Sequence, residues 1–315
     1  MTDAINIVPD VKTKQQKREE GRRRALEIAM AKQKSESNSS NDSTANLTQN
    51  KKRGNRKSER HGARNQHRHK HFARWILEKF PHIVTECSSS TETEIIENSM
   101  HVLDIAGGKG ELSARLALCH SLRVVMIDPR KADIPSVYKN TVVPKLPKKW
   151  RHSLNERLQH TPTFIEDELD KRFSQLVTHF SIASSEIFCY GDGVVAATTS
   201  DGKLFEDEEV EEAVRNASII VGLHADGATE AIVDAALRYN KPFVVVPCCV
   251  FPNLFRHRFI YVESNDEDSN IGEKKKVAVR THEQFCRYLL DKDHRFRQEV
   301  LPFEGRNLAI WWDGN

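Results

Sequence analysis

The chain has 315 residues, 38% of them hydrophobic and 30% charged, which is enough for one sizeable core with length to spare. The net charge of +3 hides an asymmetry, because residues 1–70 carry 18 Lys+Arg against 8 Asp+Glu while the other 245 carry 30 against 37. A basic arm on a mildly acidic body points to a polyanionic partner for the arm and excludes little for the body. Six cysteines without a CxxC pair argue against a disulfide framework and a structural zinc site. With no apolar leader and no run of 18 apolar residues, the expectation is a soluble protein of a reducing compartment, nuclear or cytoplasmic, with no membrane and no metal.

Residues 1–68 hold almost no large apolar side chain between Met30 and Phe72, so burial there cannot offset chain entropy, and a disordered basic tail is expected before a domain over 69–315. Within the tail, Ala25, Ile28 and Ala29 share a face of a marginal helix over Lys14–Lys34. The patches Gly21–Arg24 and Lys51–Arg60 suit a nuclear import signal or a phosphate-seeking arm, or else a solvated linker.

Order is expected from His71, where Phe72, Trp75, Ile76 and Phe80 fall at helical spacing ahead of Pro81. Val102–Ala106 reads as a strand, Glu111–His120 as a helix and Leu122–Asp128 as a second strand. An irregular stretch with prolines 135, 144, 147 and 162 follows. Phe164, Leu169, Phe173, Leu176, Val177 and Phe180 predict one helix face, and Glu186–Tyr190 a third strand. Next come a helix over Asp207–Asn216, a strand over Ser218–His224, a helix over Thr229–Tyr239 and a strand over Pro242–Pro247. Residues 263–276 read as a charged loop, His282–Leu290 as a helix, and 297–312 as a hairpin around Glu304-Gly305. Alternating strands and helices with apolar strands predict a Rossmann-like, doubly wound α/β fold with a mostly parallel sheet and an antiparallel C-terminal hairpin.

The first strand runs into Ala106-Gly107-Gly108-Lys109-Gly110, and the second ends on Asp128. In open α/β sheets the first strand-to-helix turn is the usual ligand contact, and a carboxylate closing the second strand is placed to accept from two ribose hydroxyls. A tight turn with an incidental aspartate is the plainer reading of the same residues. No GK[ST] follows, which excludes a P-loop, and the dinucleotide fingerprint is met only as Gly108-x-Gly110-x-x-Ser113.

"VLDIAGGKGELS" with "VVMIDPR" resembles motif I and the acidic strand end of class I S-adenosylmethionine-dependent methyltransferases, whose pattern is acidic–apolar–Gly–x–Gly–x–Gly. Asp104, Gly108 and Gly110 match; Ala106 replaces the first glycine, and its Cβ predicts a negative φ there. The resemblance implies S-adenosyl-L-methionine as cofactor, its methionine part cupped by the turn and its ribose held by Asp128. It also implies that Asp192, in "FCYGDG", meets the adenine amino group at the end of the third strand; a plain turn residue is the alternative.

His224, Asp226 and Thr229 lie just past one later strand, and Cys248-Cys249 just past the next. The layout resembles a branch with an H-x-C-G…T-D motif and a paired-cysteine motif, which includes enzymes that methylate a tRNA ribose 2′-hydroxyl. Here Asp226 stands in place of the motif's Cys, and Glu230 in place of its Asp with one residue fewer between. The resemblance covers about residues 100–312. It implies a methyltransferase; together with the charge of the basic tail, whose expected partner is RNA, the expected acceptor is RNA, tRNA or rRNA, with a protein acceptor as the alternative. His224 or Asp226 would be the base. His224 also reads as a satisfied strand-end histidine, and the cysteines as core packing. A nicotinamide-dependent oxidoreductase and a non-catalytic binding protein on the same sheet are the competing readings.

Overall fold

The computed structural model describes residues 67–87, 100–181, 188–190, 193–195, 205, 207–263 and 274–315. The expected tail helix and Asp192 lie outside them. In chain order the elements are α1 (Arg68–Lys79), α2 (His82–Glu86), β1 (His101–Ile105), α3 (Glu111–His120), β2 (Val124–Ile127), α4 (Ile134–Val137), α5 (Lys148–His160), α6 (Phe164–Arg172) and β3 (Phe173–Leu176). Then come β4 (Phe188–Tyr190), β5 (Gly193–Val195), α7 (Glu208–Arg215), β6 (Ala217–Leu223), α8 (Thr229–Tyr239), β7 (Phe243–Val246), β8 (Phe259–Glu263), β9 (Lys274–Ala278), α9 (His282–Leu290), β10 (Arg297–Val300) and β11 (Leu308–Trp312).

Seven strands form one sheet in the order β10-β11-β7-β6-β1-β2-β3. β3, β2, β1, β6 and β7 pair in parallel, whereas β11 pairs antiparallel with both β7 and β10. This is the Rossmann-like, mostly parallel sheet with a reversed final hairpin that the sequence predicts.

Period-two alternation sorts the strands into two buried layers. Val102, Ile219, Val221, Val244, Val246, Ala309 and Trp311 face one way, into a core closed by α1, α3 and Tyr138. Leu103, Ile105, Ile220, Phe243, Val245, Ile310 and Trp312 face the other, against α7, α8 and α9. The central strands are buried on both faces, which is why they read as unbroken apolar runs. Local signals set the helix ends: Asp207 accepts from the amides of Glu209 and Val210 at the start of α7, and Thr281 with Gln284 forms a reciprocal capping box at α9. α1 closes onto the C-terminal hairpin, where Trp75 and Phe80 meet Trp311 edge-to-face and Trp75 Nε1 donates to Glu299 at 3.0 Å.

The sequence reading fails in four stretches. The third strand of the sheet is Phe173–Leu176, which the helical spacing had assigned to a longer helix; α6 ends at Arg172 because the next four residues pair with β2. A short, half-exposed edge strand takes its state from the neighbouring ladder and not from its own pattern. The expected third strand around Phe188–Tyr190 pairs antiparallel with β5 in a separate two-stranded sheet. The irregular proline stretch contains the 13-residue α5, whose single buried side chain, Leu154, leaves no apolar stripe to read. The ends of the expected charged loop, Glu263 and Lys274–Lys276, form the β8–β9 hairpin instead. Among the described residues no helix is long and apolar enough to cross a membrane.

Candidate functional site

The carboxyl ends of the parallel strands share one edge, and the chain reverses winding direction between β1 and β6, which opens a crevice there. The turn after β1 and the acidic end of β2 lie on one side of that crevice. The loops after β6 and β7 lie on the other. β11 runs the opposite way, so its entry at Arg306 reaches the same edge, and a ring nitrogen of His224 meets the Arg306 carbonyl at 2.8 Å.

The glycine turn is built for close approach. A Cβ at Gly107 would stand 2.6 Å from Met126 Sδ and 2.9 Å from an Asp104 oxygen. Gly110 holds φ +81°, and a Cβ there would collide with Ile134 Cδ1 at 2.1 Å. Ala106 corrects the sequence expectation. Its φ is +55°, not negative, because its amide stays in the ladder on Ile127 O at 2.7 Å while the chain must already turn. For a residue with a Cβ this left-handed backbone costs about 1–2 kcal/mol. Ser121 and Asn240, also left-handed, cap helix ends, whereas His224, Asp226 and Phe251 join Ala106 on the carboxyl edge. Strain of this kind concentrates where a loop is shaped for binding.

Asp104 is buried under the turn and accepts from Ser113 Oγ at 2.6 Å. Burial raises its pKa to about 7, with a smaller contribution from the charge on Asp128 opposing the Ser113 bond. Between about pH 4, where the unfolded carboxyl titrates, and about pH 7, the folded protein keeps a proton that the unfolded chain releases. Stability from this group is therefore complete at the acidic end and lost as pH rises through 7. Asp104→Asn should flatten that decline and stabilise the protein at pH 8 by up to roughly 4 kcal/mol; urea midpoints at pH 5, 6, 7 and 8 measure it, and parallel curves for both proteins refute it.

Asp128 is buried at the end of β2 and accepts from the Gly108 amide at 2.9 Å, tying that strand to the turn. Its carboxylate also takes the Arg130 amide at 2.9 Å and the Arg130 guanidinium at 3.0 and 3.2 Å. Burial alone would raise its pKa; the bonds from Arg130 and then Gly108 outweigh burial and lower it. The Arg130 side chain is 70% exposed, and its guanidinium is the nearest group to the open face of Gly108, 3.9 Å from a Cβ placed there. The charge of Asp226 on the other side also acts weakly on Arg130.

On the far side, His224 is half-buried with φ +58°. A carbonyl only accepts, so Nε2 carries the proton toward Arg306 and Nδ1 keeps its lone pair. Burial lowers the His224 pKa, which favours the neutral ring. Asp226 is exposed, and Cys248 Sγ donates to its Oδ1 at 3.0 Å. Cys248 and Cys249 are half-buried on the rim, outside the two buried layers. The Cys248 thiol is pushed far up, first by its bond with Cys249, then by burial and Asp226.

Sequence reasoning missed the partners that gather around two carboxylates, Glu111 and Glu230. Glu111, at the start of α3, gathers His69 at 3.1 Å with Lys145 and Arg115 at 3.0 Å. Burial would raise its pKa, but His69, then Lys145 and Arg115, hold it at about 2. This fixes the first turn of α1 beside the glycine turn. Beneath the rim, Glu230 is enclosed by Arg258 at 2.7 Å, Tyr288 at 2.5 Å and Lys292 at 3.0 Å, and Lys292 also bonds Asp234 at 2.6 Å. Glu230 is thereby committed to structure. A separate cleft of about 580 Å³ between α9 and the C-terminal hairpin is lined by His282 and Arg306 among others, and no residue of the glycine turn lines it.

No protein-family model and no curated protein matches the sequence. Solved structures with a similar course include the methyltransferase domain of a bacterial Hen1, 10% identical, covering 79% of this chain and 98% of that one with a TM-score of 0.36. The C-terminal domain of precorrin-6Y C5,15-methyltransferase from Rhodobacter capsulatus is also 10% identical, with 72% and 93% covered and a TM-score of 0.21. At such identity and TM-score, neither decides what this chain does.

Proposed function

We propose that the protein is an S-adenosylmethionine-dependent methyltransferase acting on RNA. The observation that carries this reading is the pairing of the Gly107–Gly110 turn with Asp128 on one side of the crevice, with the Gly108 amide fixing the carboxylate. The residues fit the cofactor: the open face of Gly108 leaves room that a side chain would fill, and Asp128 offers two oxygens once Arg130 moves. When bound, the cofactor supplies a methyl group already activated on a sulfonium sulfur, so the protein's part is to position and desolvate the acceptor. Asp128 would hold the ribose and the turn the methionine part. His224 Nδ1, neutral at pH 7, would take the acceptor's proton from across the crevice.

Arg130 must give up Asp128 for this to happen. Arg130→Ala should therefore tighten S-adenosylmethionine binding severalfold in calorimetry, whereas weaker binding would show that the guanidinium belongs to the ligand's own contacts.

RNA as acceptor is supported by the charge of residues 1–70 and by the position of the first turn of α1. His69 is bonded to Glu111 beside the glycine turn, and the charge of Arg68 reaches His224. Removing residues 1–66 should leave cofactor affinity intact and weaken RNA binding, most strongly at low salt, where each lost phosphate contact counts most. Equal RNA affinity with and without the tail would withdraw RNA from the reading. The direct test is incubation with tritiated S-adenosylmethionine and total cell extract, followed by separation of RNA, protein and small molecules. Label in RNA supports the reading, label in protein alone replaces the acceptor, and no label with no cofactor binding rejects it.

A further inference from the structure

We propose that Asp226, Cys248 and Cys249 form a binding site for a thiophilic divalent ion, Zn²⁺ foremost. This goes beyond the methyltransferase reading and does not depend on it. One carboxylate oxygen and two sulfurs, contributed by the loops after β6 and β7, all lie within 4.8 Å of one another. Tetrahedral Zn²⁺ with bonds of about 2.3 Å to sulfur and about 2.1 Å to oxygen needs ligand atoms roughly 3.6–3.8 Å apart. Cys248 Sγ and Asp226 Oδ1 stand 3.0 Å apart, joined through the thiol proton. Replacing that proton by a metal asks the pair to widen by only about half an ångström, within reach of side-chain rotation.

The ligand chemistry selects the ion. Two thiolates and one carboxylate suit zinc and disfavour magnesium or calcium, which take oxygen ligands. Three protein ligands leave a fourth position, and with Asp226 exposed and both cysteines half-buried, that position opens to solvent at the crevice. Charge is accommodated as well. Three anionic ligands around a divalent ion leave one net negative charge, and Arg130 already lies within the influence of Asp226. The backbone supports the arrangement, since Asp226 is held at φ +47° and Phe251, two residues past Cys249, at φ +49°. On binding, Cys248 and Cys249 would each release one proton.

The test uses full-length protein, reduced and stripped of metal by a chelator, then titrated with Co²⁺. A near-ultraviolet thiolate-to-cobalt charge-transfer band should grow to one equivalent and vanish on adding Zn²⁺. Cys248→Ser and Cys249→Ser should each weaken binding by at least about tenfold, with Asp226→Asn weakening it less, as expected when ligands are lost from such a site. Cys119→Ser, a half-buried cysteine elsewhere, should bind like wild type. Melting temperatures without metal establish that each variant folds, and Zn²⁺ should raise those of the wild type and Cys119→Ser but not that of the Cys248→Ser/Cys249→Ser double variant. The histidines at positions 61, 67, 69 and 71 can bind cobalt but give no thiolate band. Absence of the band in wild-type protein, or its survival in a Cys248→Ser/Cys249→Ser double variant, overturns the site. Full affinity in Asp226→Asn overturns the three-ligand form of it.

Discussion

Asp128→Ala should weaken S-adenosylmethionine binding at least tenfold while leaving the protein folded. In the proposed complex the ribose hydroxyls donate to a charged acceptor, and each such bond is worth about 1.5–3 kcal/mol, so losing two of them in a buried setting exceeds one decade easily. The fold should survive because Asp128 ends a strand whose ladder is made by the backbone, and because Arg130 returns to solvent when its partner is removed. Gly108→Arg should do the same by a different route. Gly108 holds φ +64°, and its open face is where a ligand must pass, so a long side chain closes the turn and strains it. Calorimetry on both variants, with circular dichroism to confirm folding, is the measurement. Unchanged affinity in both would remove the cofactor from this crevice, whatever the protein then does.

Lys292→Met should be the most destabilising single change outside the site. The ammonium is 8% exposed and sits between Asp234 and Glu230, at 2.6 and 3.0 Å. Burial favours its neutral form, but Asp234 and then Glu230 keep it protonated. Replacing it with an apolar chain of similar length keeps the volume and leaves two carboxylates facing each other in the interior. Removing one partner of a buried ion pair costs about 3–5 kcal/mol. Burial already raises the Asp234 pKa, so in the variant Asp234 should take up a proton and recover part of the loss. The deficit should therefore be larger at pH 8 than at pH 5, since the relieving proton is held at low pH and lost as pH rises. Urea unfolding at both pH values measures it; a loss below about 1 kcal/mol, or one independent of pH, would show that Arg258 and Tyr288 suffice to hold Glu230.

These two predictions concern residues that differ in how readable they were. Asp128 could be found from sequence because its position depends on a local rule: a strand, a turn, a helix, then a strand ending on an acid. Lys292 could not, because the carboxylates that define it come from a helix 58 residues away in sequence. The same division explains the elements. The strands β1, β6 and β7 and the helices α3, α8 and α9 carry enough apolar or capping signal to specify themselves. β3 and β8–β9 do not, since their state is decided by the strands they pair with, and α5 lacks the stripe that would reveal it.

By itself the sequence determined the layered α/β architecture, the glycine turn with its acidic companion, the reversed final hairpin and the charge contrast between tail and body. Each of these depends on residues close together along the chain, where periodicity, turn chemistry and charge act directly. Only the tertiary structure decided that Ala106 takes a left-handed backbone, that Arg130 occupies Asp128, that His69 in the first turn of α1 meets Glu111 beside the glycine turn, and that Asp226 meets Cys248 and Cys249. Those facts come from loops that parallel strands carry to a common edge. Strand pairing, not sequence distance, fixes what stands opposite what.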